Sequence, residues 1–185
     1  MFTVHHGGTA ATSDFKRSYA AKNSGSLGYY VTTNRTQAAA YGDVHSYIFK
    51  PNAAMDDAKL SFDEAKALSD LTDYWSNYSD DPNNTDPVNV LVSMSVTDAM
   101  LEVINSTGCI DETINYLISL GFSHYTVAST EDASVYVVID VSRLRQSKTA
   151  VEKLMMLASN LEDADFLEKF SEGFDQYRKS HENTV

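Results

Sequence analysis

Apolar and polar positions divide the chain into strand-like segments at both ends of residues 1–145, a helical stretch between them, and a helical tail. "MFTVHH" (1–6) reads as a short strand, and "GYYVTT" (28–33), aromatic and β-branched, as a second. "SDFKRSYAAK" fits a helical turn or two starting near Ser13 or Asp14, and "NSGSLG" (23–28) is a turn-rich loop. Asn34 is placed to cap a helix over "RTQAAAY", with Gly42 as its stop. "VHSYIFK" (44–50) is a further strand, ended by Pro51.

Ser61 and Glu64 have capping-box spacing and open a helix expected to run through about Tyr78. "SDDPNNTDP" (79–87) is polar and turn-rich. Residues 88–120 read as mainly helical, with Thr97 and Asp111 as candidate caps. "HYTVAS" (124–129) and "VYVVID" (135–140) are strands separated by the acidic turn "TEDA". From about Ser147 apolar residues recur at helical spacing, as in "KLMMLASNL". No repeat or low-complexity tract interrupts this order, which is that of an α+β fold.

Composition narrows the function classes. The chain has 185 residues, 43% hydrophobic, enough for one domain with a real core. Its formal net charge is −12 and its 14 Lys and Arg are scattered, which argues against nucleic-acid binding. No apolar run has the length of a membrane span, and no secretory signal pattern is seen, so a cytoplasmic protein is expected. A single cysteine, Cys109, excludes an internal disulfide and a cysteine-based zinc cluster.

The stretch "HHGGTA" (5–10) is the first that asks for chemistry. Adjacent strand residues His5 and His6 point to opposite faces and do not share a metal easily. No H-E-x-x-H pattern exists, so no metal is expected. An oxyanion-hole reading lacks a G-x-S-x-G elbow, and a phosphate-loop reading lacks its G-K-[ST]. A strand-end histidine beside a glycine turn that admits a nucleotide remains. Tyr30, on a strand, and Tyr41, about two turns along the next helix, suit the two walls of a slot for a flat cationic heterocycle. Thr32 shares the face of Tyr30 by alternation.

The order His6-Gly7, then Tyr30 within "GYYVT", then Tyr41 within "AAAY", resembles the ADP-ribosyltransferase fold. It is most similar to the branch that includes diphtheria-type toxins and the poly(ADP-ribose) polymerases. "LGFSHYTVASTEDASVYVVIDVSRLR" (120–145) is similar to that fold's late hairpin. The resemblance covers about 1–50 and 120–145. It implies an ADP-ribosyltransferase-like split β-sheet core over 1–146, with 51–118 as a mostly helical insert. The helical pattern over 147–185 is expected to form a C-terminal extension packed on that domain; neither it nor 51–118 is covered by the resemblance.

It also implies NAD+ as substrate, with His6, Gly7, Tyr30, Thr32 and Tyr41 as its binding residues. The implied activity is mono-ADP-ribosylation of an intracellular protein target. Small phage-encoded members, one of them an anti-CRISPR, extend the implication to an anti-defence role in a host cytoplasm. One departure stands out. Family members place Glu or Gln before the aromatic residue of the late strand, and Val135 stands here before Tyr136. Glu131 or Asp132 in the turn are the candidate replacements, with Asp140 a third, expected near the strand's exposed end. Two alternatives follow: a catalytically degenerate binding protein that occludes a partner, and an NAD glycohydrolase toxin.

Overall fold

A computed structural model describes residues 1–8, 27–78, 86–130 and 133–146. They have a mixed α/β content with seven strands, and they divide into two compact units. The division falls inside one strand, β2 (Tyr29–Thr32), between Val31 and Thr32.

The first unit holds described residues 1–8, 32–50 and 144–146. Strand β1 (Phe2–Gly7) runs antiparallel to β3 (Val44–Phe49), from Phe2 opposite Phe49 to Gly7 opposite Val44. Thr32 lies opposite His5 on the other edge of β1. The short β7 (Leu144–Gln146) extends β3 on its far side. Direct partners share a face. One face therefore carries Val4, Tyr47, Phe49 and Leu144, all buried, with Phe2 packed edge-on to Phe49 at 5.5 Å. The other carries His5, Gly7, Thr32 and Ser46.

Helix α1 (Arg35–Ala39) starts where expected. Asn34 is its cap, and the Asn34 side chain accepts from Gln37 N at 3.0 Å. The helix ends earlier than the pattern predicts, at Ala39 rather than at Gly42.

The second unit holds described residues 27–31, 51–78, 86–130 and 133–143. Its strands follow the order β4 (Ala53–Ala54), β5 (Phe122–Ser129), β6 (Ser134–Val138), β2. β5 and β6 form an antiparallel pair with a bulge between Thr126 and Ala128. Gly28 is required by close approach: a Cβ there would stand 2.5 Å from Val137 Cγ1 and 2.8 Å from the Val138 carbonyl.

The Ser61–Glu64 capping box is formed and starts α2 (Phe62–Thr72). Asp73 is left-handed, φ 53°, and splits the single expected helix into α2 and α3 (Tyr74–Tyr78). Next come α4 (Pro87–Ser93), α5 (Val96–Thr107) and α6 (Ile110–Ser119). Ser95, not Thr97, caps α5, and α6 begins after Cys109 without a side-chain cap. The helices and the late strands share one core: Leu68, Tyr74, Leu91, Met100 and Leu117 belong to the same buried cluster as Tyr125 and Val137.

Residues 9–26 and 79–85, the acidic pair at 131–132, and 147–185 lie outside the described residues. The expected early helix, most of the polar turn and the C-terminal extension fall there. No helix among the described residues is long and apolar enough to cross a membrane.

Candidate functional site

The end of β1 in the first unit gathers four of the five expected NAD-binding residues, and it sorts them by face. His5 and His6 alternate, as strand geometry requires. His5 sits opposite both Thr32 and Ser46, and so shares their face. It is 1% exposed, and its Nδ1 and the Ser46 hydroxyl are 2.9 Å apart. His6 sits opposite His45, on the other face. The histidine on the side of Thr32 is thus His5, while the motif order singled out His6. Nothing in the text "HH" states which of the two faces which way; the pairing register does.

Gly7 lies against α1. A Cβ on Gly7 would stand 1.7 Å from the Ala38 carbonyl oxygen and 3.1 Å from the Tyr41 Cβ. The space over this glycine is filled by the last turn of the helix, so helix packing is what demands Gly here. Tyr41 follows the helix instead of lying on it. Its N–H donates to the Ala38 carbonyl at 3.0 Å, which tucks its backbone over Gly7, and the residue is 75% exposed.

Thr32 is buried, and both roles of its hydroxyl are used. It donates to Gln37 Oε1 at 2.6 Å and accepts from Asn34 N at 3.1 Å. The hydroxyl thereby ties the end of β2 to the start of α1. Its sequence signal was only the alternation with Tyr30. Gln37, Ser46 and His45 carried no signal that reading the chain in order could detect.

Tyr30 belongs to the second unit. It is partly buried and packs against that unit's hydrophobic core. Of the candidate carboxylates, Glu131 and Asp132 lie outside the described residues. Asp140 is held inside a turn rather than at an exposed strand end. Its Oδ1 accepts from the Ser142 N–H and hydroxyl, its Oδ2 accepts from Arg143 Nε at 3.0 Å, and its side chain is 12% exposed. Val135 occupies the position before Tyr136 on β6, opposite Ala128.

The second unit has its own polar cluster. The Asp56 carboxylate accepts the Thr126 N–H at 2.9 and 3.1 Å, beside the bulge. His124 is buried. Its Nδ1 lies 2.9 Å from the Ser123 hydroxyl, and the Tyr136 ring meets it edge-on at 5.5 Å. Burial holds the His124 imidazole below its ordinary range, against the pull of the Asp56 charge. The Tyr125 hydroxyl is buried without a hydrogen-bond partner among the described residues, and that burial pushes its ionisation well up. Ser123, His124 and Tyr125 are buried, Asp56, Thr126 and Tyr136 partly so, and the Asp56 carboxylate anchors the β5 backbone at Thr126.

Among the described residues no group of three or more His, Cys, Asp or Glu comes together to hold a metal. The chain matches no family model, no curated protein and no solved structure.

Proposed function

We propose that the chain is an NAD-dependent mono-ADP-ribosyltransferase acting on a protein. The observation that carries the reading is Tyr41: a large ring, 75% exposed, whose backbone is fixed over the His-Gly end of β1. Burial in a core does not account for a ring so open. On the same face of the first unit stand His5 and Thr32. Tyr30, NAD+ itself and an acid from Glu131 or Asp132 come from the sequence resemblance alone.

In this reading Tyr41 stacks on the cationic pyridinium ring, worth about 0.5–2 kcal/mol. A histidine of the pair donates to a ribose hydroxyl. A target side chain forms a bond to the ribose carbon as the bond to nicotinamide breaks. The bonding electrons go to the ring nitrogen, and nicotinamide leaves neutral. A carboxylate near the ribose stabilises the positive charge that develops there. A second reading, a binding protein that has lost turnover, is favoured by Val135 before Tyr136 and by Asp140 being tied into its own turn.

The test incubates the chain with biotin-labelled NAD+ and a bacterial lysate, beside Tyr41→Ala, His5→Ala, His6→Ala and Glu131→Ala. Labelled proteins and free nicotinamide are measured together. The expected result is labelling that weakens about 2- to 30-fold at limiting NAD+ in Tyr41→Ala, the stacking energy expressed as a ratio. Thermal stability of that variant stays within about 0.5 kcal/mol, as for an exposed side chain. Nicotinamide without labelled protein means hydrolysis. Silence in both channels from folded protein overturns the enzyme reading in favour of the binder.

A further inference from the structure

His6 and His45 are direct partners across β1 and β3, so their imidazoles leave the same face. The ring centroids are 6.3 Å apart, with planes tilted by 33°. Both rings converge on Gly8. His45 Nε2 donates to the Gly8 carbonyl at 3.0 Å. His6 Nε2 is the nearest atom, at 3.0 Å, to where a Cβ on Gly8 would stand. Gly8 is itself held in place. Its N–H donates to the Asp43 carbonyl at 2.9 Å, and its φ of +151° is one that side-chain-bearing residues rarely adopt. One imidazole thus bonds the Gly8 carbonyl, and the other stands beside the Gly8 Cα.

We propose that His6, His45 and the Gly8 carbonyl bind a divalent transition-metal ion of the copper(II) or nickel(II) class. With metal–nitrogen bonds of about 2.1 Å, two imidazoles on one ion have centroids about 4.5 Å apart at a right angle and about 6.4 Å apart when opposed. The observed 6.3 Å lies inside that range. Two ligands at a right angle on such an ion are about 3.0 Å apart. That is the spacing of His45 Nε2 and the Gly8 oxygen, so an ion bonded to both stands to one side of the Nε2···O line, with the imidazole turned toward it and its proton released.

Imidazole with carbonyl oxygen in a tetragonal set suits copper(II) or nickel(II), and water fills the other positions. Two imidazoles are too few for a closed structural zinc site, in keeping with the lack of a larger ligand group among the described residues. The site uses the face opposite to Thr32 and does not depend on the NAD reading.

The test has two arms on the full chain. In the first, nickel(II) is titrated into isotope-labelled protein and amide broadening is followed by NMR. Broadening that starts at His6, Gly8 and His45 is expected. Broadening centred on Met1, His124 or His181, or none, overturns the proposal without any variant being needed. In the second, copper(II) is bound and its EPR nitrogen couplings are counted. Two imidazole nitrogens are expected in the native chain and one in His6→Ala or His45→Ala, with affinity at least about tenfold weaker, since even ligand-orienting changes cost that much. Undiminished affinity in both folded variants overturns it equally.

Discussion

Single residues near the start of the chain do more structural work than their chemistry suggests. Gly7 invites a reading as a gap for a nucleotide, but the Ala38 carbonyl occupies the position its Cβ would take. Backbone does not yield as a flexible side chain does, so Gly7→Ala has to push α1 off β1. The expected cost is about 3 kcal/mol, at the upper end for overpacking. Urea denaturation compared with the native chain checks it. A loss under about 0.5 kcal/mol would mean that α1 does not sit on β1 as described. The candidate residues were legible by type but not by direction: "HH" announced a histidine at the strand end, while the register with Thr32 and His45 assigned one to each face.

At the scale of elements, local signals located most starts and few ends. Asn34 and Ser61 cap the helices they were expected to cap, because an N-cap is a bond between residues three apart and needs nothing distant. The Glu64 carboxylate is held below its usual range by the Ser61 backbone N–H first and the Ser61 hydroxyl second. Ser61→Ala removes the hydroxyl from this box and is expected to destabilise the chain by about 0.5–2 kcal/mol. Ser61→Asp, which retains a capping oxygen, is expected to recover most of that in the same melts; equal loss in both would assign the effect to something other than capping. The ends were less legible. Asp73 breaks α2 from α3 in a left-handed conformation that no motif announces, and Tyr41 falls past the end of α1.

For the whole molecule, the buried His124 makes stability respond to pH. Burial lowers its ionisation in the folded chain, whereas the unfolded chain titrates near the ordinary value of about 6.5. Below that value the unfolded state takes up a proton that the folded state resists, so stability falls as the pH drops from about 7 toward 5. His124→Gln is expected to flatten that part of the profile in urea melts across the range. A slope unchanged by the substitution would place its origin in other groups. The net charge of −12 adds no fold information, but it sets the background against which salt dependence of these melts is read.

The sequence by itself determined what depends on neighbours along the chain. Strand-forming residues bounded by turn signals gave β1, β3, β5 and β6, and capping chemistry gave the starts of α1 and α2. The tertiary structure decided what depends on residues far apart. Pairing of β1 with β3 put His45 beside His6 and Ser46 beside His5. Packing of α1 on β1 filled the space over Gly7. A shared core joined the helices of 51–118 to the late strands. Register and packing are set by contacts between positions tens of residues apart, and no short window of the chain contains both partners.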